Sequence, residues 1–241
     1  DWVFHLAADM GGVGYFHSDA DWGAAMRNGR ITLNVLENAD LCDRLFYAAS
    51  ACVYPIERAG ELMDETMIGS GTPDALYGAE KLHGLRLCSK TPNARVGVFD
   101  TVYGPLQEHE GRRMKFPTAV ATKAIAARET GRLELWGDGT QTRCYLDIDD
   151  AIDRVLTVIT ADRYEGPVNI GAATPVSCRE IAELCLDLAG AEAEIVFNLS
   201  EPSGVPARVT SQAKYHAVYG DTHEAGYRDG FAKLIDWLEA L

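Results

Sequence analysis

Short, nearly continuous apolar runs at 2–8, 44–49, 94–99 and 167–170 alternate along the chain with longer stretches of helical spacing at 24–39, 77–90 and 148–160. Runs of the first kind read as strands and those of the second as helices. Their alternation is a βαβ rhythm, which predicts an α/β fold: a doubly wound, mostly parallel sheet with helices on both faces. A further helix over 178–189 sets Ile181, Leu184, Cys185 and Leu188 on one buried face. Ser177 stands as its N-cap, and Glu180 three residues on completes a capping box. Gly and Pro gather at 55–73, 104–111 and 200–206, the expected loops.

In open α/β sheets ligands sit beyond the carboxyl ends of the strands. Segments 9–14, 50–54 and 100–105 are therefore where chemistry is expected. The formal charge of -14 over 241 residues repels nucleic acid and anionic membrane surfaces, and no Lys/Arg cluster offsets it. An anionic small ligand would have to be held by a few well-placed cations. Six cysteines, at 42, 52, 88, 144, 178 and 185, form no CxxC pair and lie near no His at metal-ligand spacing. That pattern predicts no metal and a reducing compartment. No apolar run approaches the roughly 20 residues of a membrane span, and the start lacks the pattern of a secretion signal, so a cytoplasmic protein is expected.

Tyr77 and Lys81 lie four apart at the start of a helix, on one face. A lysine ammonium beside a phenol favours the phenolate, bringing a pKa of about 10 down toward the range where Tyr acts as a base. The spacing alone is common by chance on exposed helices. Ser50, directly after an apolar strand, adds a hydroxyl that could hold a substrate oxygen against Tyr77.

Ser50, Tyr77 and Lys81 in this order resemble the triad of the short-chain dehydrogenase/reductase superfamily. Leu6-Ala7-Ala8, Val102-Tyr103-Gly104-Pro105 and Pro167-Val168-Asn169-Ile170-Gly171 point to its extended branch. More narrowly, the chain is similar to the GDP-mannose 3,5-epimerase family. The similarity is carried by Ala7-Ala8-Asp9-Met10-Gly11-Gly12, 47–55 (YAASACVYP), 77–81 (YGAEK), Lys115 with Pro117, and 136–143 (WGDGTQTR).

The resemblance implies a Rossmann-like fold, with 1–105 as the C-terminal part of the NAD-binding domain. The remainder, 106–241, would be mainly a smaller α/β substrate-binding lobe, with 140–172 returning to the first sheet. It implies NAD as cofactor, contacted by Ala7, Ala8, Ser50, Tyr77 and Lys81. Catalysis would fall to Ser50, Cys52, Tyr77, Lys81 and Lys115, with Cys52 as base and Lys115 as acid on a 4-keto sugar. A free thiol titrates at about 8.5, close enough to neutral to serve if a cation lies near. A GDP-sugar or other nucleotide-sugar would meet Gly11, Ser50, Ala51, Cys52, Thr101, Lys115, Lys123, Gln141, Thr142, Arg143 and Arg208. The arginines suit phosphate because their planar fork pairs its oxygens. A homodimer through two helices, one of them 77–90, is expected by analogy.

The chain also departs from that family. It has no glycine-rich fingerprint after a first strand, and it reads as starting at the fourth strand, with on the order of 60 to 90 residues lacking at about 30 per βαβ unit. Thr101 stands where the family carries an Asn, and Asp100 where it carries a His. These changes leave the nucleotide and sugar open. Another nucleotide-sugar 4-epimerase or dehydratase remains an alternative, since a 4-epimerase needs Tyr77 and Lys81 but no base at Cys52. So does a non-catalytic protein that binds NAD or a sugar nucleotide.

Overall fold

A computed structural model describes residues 1–16 and 20–241. Its strands are β1 Trp2–His5, β2 Arg44–Ser50, β3 Leu62–Met63, β4 Ala94–Phe99, β5 Thr101–Tyr103, β6 Arg132–Trp136, β7 Thr142–Asp147, β8 Val168–Ile170, β9 Pro175–Ser177, β10 Glu194–Asn198 and β11 Ala207–Thr210. Its helices are α1 Val13–Phe16, α2 Ala20–Leu36, α3 Ala75–Cys88, α4 Phe116–Thr130, α5 Ile148–Thr160, α6 Cys178–Ala189, α7 Ala213–Tyr219 and α8 Tyr227–Glu239.

The first sheet is wholly parallel, in the order β1-β2-β4-β8. Alternate residues of β2 go to opposite faces, as the pleat requires. Leu45, Tyr47 and Ala49 pack with Leu82, Leu85 and Cys88 of α3, while Phe46 packs with Val155, Val158 and Ile159 of α5. Helices therefore cover both faces, the doubly wound arrangement expected. On the α5 face Arg44 donates to the Ile159 carbonyl at 2.6 Å and Arg95 to that of Val158, placing cations at the negative end of the helix.

The second sheet has the order β3-β11-β7-β5, with β9 antiparallel to β7; β6 and β10 form a separate parallel pair. Around these, α4, α6 and α8 bury Val120, Ala121, Leu133, Ile181, Cys185 and Phe231 in a third cluster. The α6 capping box is formed: the Ser177 hydroxyl accepts the Glu180 amide at 3.1 Å, and the Glu180 carboxylate accepts the Ser177 amide at 2.9 Å.

Two features differ from the sequence reading. β1 ends at His5 rather than running to residue 8: the Leu6 amide turns back to the Phe4 carbonyl at 3.1 Å, and beyond it Asn28 of α2 takes both backbone groups of Asp9, accepting its amide at 2.6 Å and donating to its carbonyl at 2.9 Å. The return of 140–172 to the first sheet is made by α5 and β8 alone. β7 pairs with β5 and β11 instead, because β5 follows β4 after one residue, Asp100, and draws β7 into the second sheet. Among the described residues no helix is long and apolar enough to cross a membrane.

Candidate active site

Where β2 and β4 end, in register at Ser50 and Phe99, a cavity of about 630 Å³ opens between the two sheets. Ser50 ends β2, and its hydroxyl accepts the amide of Cys52 at 3.2 Å, capping the short turn Ala51–Val53. Helix α3 is docked against that turn. The Asp74 amide donates to the Cys52 carbonyl at 2.9 Å, and a Cβ on Gly78 would lie 2.3 Å from the same oxygen, so only glycine permits the approach. Tyr77, one residue earlier, is thereby delivered to the cavity beside Cys52. Ala75, at the head of α3, holds a left-handed φ of 57° and lines the cavity, a small store of backbone strain at the site.

Tyr77 is 5% exposed and stacks on Phe16 at 4.4 Å. Lys81, one turn on, places Nζ 5.8 Å from the Tyr77 ring centre and 5.2 Å from that of Tyr47. The expectation that Lys81 depresses the Tyr77 pKa is corrected here. Burial pushes the Tyr77 hydroxyl above its ordinary range, Cys52 adds to the rise and the Ser50 hydroxyl opposes it. Lys81 is itself held below its ordinary pKa by burial, against the pull of Glu80.

Lys115 is the N-cap residue of α4. The strand of chain before it is pinned by the glycine loop, whose Gly12 amide donates to the Arg113 carbonyl at 3.2 Å. Asp9 braces the same corner through ion pairs to Arg27 and, at 2.7 Å, to Arg113. Burial lowers the Lys115 pKa, and Cys52 across the cavity acts in the opposite sense.

Three cations close the far side. Arg208 Nη1 donates to Cys52 Sγ at 3.1 Å, while Nη2 pairs with Asp74. Arg143 donates to the Thr142 and Val205 carbonyls at 2.7 Å each, and its pKa falls through burial and then through Arg208 nearby. Lys123 donates to the Glu134 carbonyl at 2.9 Å and lies over Trp136. Two crowded guanidiniums in a burying cavity make it a favourable place for an anion.

Of the residues expected to meet cofactor or substrate, Ala8, Gly11, Ser50, Ala51, Cys52, Tyr77, Lys81, Thr101, Lys115, Lys123, Gln141, Arg143 and Arg208 line this cavity. Ala7 and Thr142 do not. Each sits between two neighbours that do, Leu6 and Ala8 or Gln141 and Arg143, and the Thr142 hydroxyl turns away to the Thr140 carbonyl at 3.2 Å. The sequence reading did not single out Asp74, whose signal was its place just ahead of α3, or Phe16. Asp100 was legible as the first residue of the expected segment 100–105 and as a replacement, without a role of its own.

The NAD dependent epimerase/dehydratase family matches residues 1–171. The GDP-mannose 3,5-epimerase of Arabidopsis thaliana is 36% identical over 250 residues, covering 99% of this chain and 65% of its own length. GDP-mannose 3,5-epimerase 1 of Oryza sativa subsp. indica is 35% identical over 249 residues, again with 99% and 65% covered. This chain thus spans just under two thirds of those relatives. Among solved structures, epimerase Mth375 from Methanothermobacter thermautotrophicus shares the fold with a TM-score of 0.88, at 22% identity over 100% of this chain and 72% of that one. On the match of residues 1–171, the chain belongs to the NAD dependent epimerase/dehydratase family.

Proposed function

We propose that this protein is an NAD-using nucleotide-sugar epimerase that inverts C3 and C5 of GDP-mannose through a 4-keto sugar. The observation that carries the reading is that Cys52 and Lys115 line one cavity with Tyr77. Inversion at C4 alone calls for the Tyr-Lys pair, whereas inversion beside a ketone calls for a second base and acid.

The residues fit the nicotinamide end of NAD. Leu6, Ala8, Ala48 and Ala49 leave a wall of mostly small apolar side chains. The buried Lys81 ammonium lines the cavity with aromatic faces beside it and, among the described residues, no hydrogen-bond acceptor of its own, as a ribose-holding cation would. When bound, NAD would accept the hydride of sugar C4 and return it once C3 and C5 are inverted, leaving no net oxidation. Tyr77 takes the proton of the C4 hydroxyl and gives it back when the ketone is reduced. Burial holds the Tyr77 hydroxyl above its ordinary pKa, and the Ser50 hydroxyl and the Arg208 guanidinium work the other way. The C4 ketone acidifies C3 and C5. Cys52 removes a proton from one face, with the Arg208 guanidinium against its sulfur, and Lys115 returns one from the other, its lowered pKa suiting it to give up a proton. Arg143, Arg208 and Lys123 hold the diphosphate and sugar.

This reading includes a homodimer through α2 and α3. It is supported by Trp22, Met26 and Leu33 of α2 and Leu76 of α3, all left exposed. The six cysteines, all free, suit the reducing cytoplasm.

The test is incubation with GDP-mannose and NAD in deuterated water, followed by NMR at sugar C3 and C5. Deuterium at both carbons supports the epimerase. A protein that binds both ligands and exchanges neither carbon is a 4-epimerase or a binding protein, and the reading fails.

A further inference from the structure

Asp100 occupies the single residue between β4 and β5, at the point where the chain leaves one sheet for the other, and it lines the cavity. Thr210 holds its carboxyl, and β8 and Gln212 brace the surroundings. The Thr210 hydroxyl, at the end of β11, donates to Asp100 Oδ2 at 2.5 Å, and the Asp100 amide donates to the Ile170 carbonyl at 3.2 Å. Gln212 Nε2 donates to the Thr210 hydroxyl oxygen at 2.9 Å, and Gln212 Oε1 accepts the Gly171 amide at 3.1 Å. Gly171 must be glycine for this carboxyl to fit, since a Cβ there would lie 2.2 Å from Asp100 Oδ2.

The chain of donors has a fixed direction. Gln212 is oriented by the Gly171 amide, so its Nε2 faces Thr210; Thr210 has that donor on its oxygen and sends its one proton to Asp100. Oδ2 is thus committed as an acceptor. Among the described residues no side-chain donor reaches Oδ1, although the Thr210 backbone amide also favours the ionised carboxyl, and the side chain lines the cavity. The setting is costly for a carboxyl: burial pushes Asp100 up to about 7, against Thr210, Arg208 and Arg143. A half-buried acid aimed by a hydroxyl that is itself oriented by Gln212, and lining the cavity, is the form of a ligand-reading group.

We propose that Asp100 is a specificity-determining residue of the sugar subsite, its Oδ1 accepting a hydrogen bond from a hydroxyl of the bound sugar, with Thr210 as the positioning residue that aims it. The assignment rests on the sugar-nucleotide reading above. Arg208 and Arg143, given to the diphosphate, also face Asp100, so the sugar's own share is read as the ratio of GDP-mannose affinity to GDP affinity.

The experiment is calorimetric titration of GDP and of GDP-mannose into the wild-type protein and into Asp100→Asn, Thr210→Val and Thr210→Ser. In wild type GDP-mannose binds tighter than GDP. In Asp100→Asn that ratio falls about 10- to 100-fold, the worth of a hydrogen bond to a charged group, and any change in GDP affinity through Arg208 and Arg143 cancels from it. Thr210→Val lowers it part of the way and Thr210→Ser, which keeps the hydroxyl, restores it. Among mono-deoxy GDP-mannoses, the one lacking the contacted hydroxyl binds wild type and Asp100→Asn equally. An unchanged sugar advantage in a folded Asp100→Asn overturns the assignment while leaving the sugar-nucleotide site intact. Wild type that binds GDP-mannose no tighter than GDP removes both. Binding is read without turnover, so failure of deuterium exchange alone touches only the epimerase chemistry.

Discussion

The Arg208 guanidinium bridges Cys52 and Asp74, donating to the thiol sulfur from 3.1 Å with one nitrogen and pairing with the carboxylate through another. Strand β11, the turn after β2 and the head of α3 are thereby tied together at the sulfur. A lysine, with one compact ammonium, cannot span both partners. Arg208→Lys is therefore expected to behave as a loss, lowering deuterium exchange at C3 and C5 about 10-fold or more while far-ultraviolet circular dichroism stays that of the wild type.

Cys52→Ser removes the proposed base and keeps the side chain's size. Loss of one general base lowers such a step by about 100- to 10,000-fold. Exchange at C3 and C5 should fall by that order, with NAD and GDP-mannose binding unchanged by calorimetry. A variant that keeps full exchange places the base elsewhere.

Gly78→Ala puts a methyl group against a backbone oxygen, 2.3 Å from the Cys52 carbonyl. Backbone has no rotamer through which to yield, so α3 and the Cys52 turn must part. The expected cost is about 1–3 kcal/mol in urea denaturation. Activity should fall further than stability, because the shift separates Tyr77 from Cys52.

Asp100 makes the ligand-free protein's stability fall with rising pH. Its carboxyl goes from an ordinary 3.8 to about 7 on folding, so between those values the native state holds a proton that the unfolded state has released. The penalty is absent below pH 3.8, grows through the window and levels off above pH 7, at about 4 kcal/mol as an upper limit from 1.36 kcal/mol per unit. Asp100→Asn lacks it. Urea midpoints should show the variant ahead of wild type by much more at pH 8 than at pH 5; equal gaps would place the Asp100 pKa outside this window.

What the sequence told about the fold was what local pattern encodes. β4 at Ala94–Phe99, α5 at Ile148–Thr160 and α6 with its Ser177–Glu180 box match their expected bounds, because long periodic runs and caps are properties of neighbouring residues. The second sheet escaped notice: β3, β5, β9 and β11 are two to four residues long, too short for a period of two to register. β1 was overextended because the turn of the Leu6 amide onto the Phe4 carbonyl leaves no mark in an unbroken apolar run. At the site the Tyr77, Lys81, Cys52 and Lys115 positions were legible as motif. Their electrostatics were not, since the Tyr-Lys spacing carries no information about burial, and the Asp74–Arg208 pair joins residues 134 apart. Ala7 and Thr142 were included with their segments, although alternate residues of an extended chain face opposite ways.

The passage from β4 to β5 through Asp100 alone has a consequence for how such a pocket can diversify. With no slack in the connection, inserting or deleting one residue there would turn every later side chain of β5 to its opposite face, exchanging Thr101 and Tyr103 with Val102 and undoing the pairing with β7. Length is frozen at this joint while the side chain is not. The position is a socket: what can vary there is the residue that occupies it, not the length of chain around it.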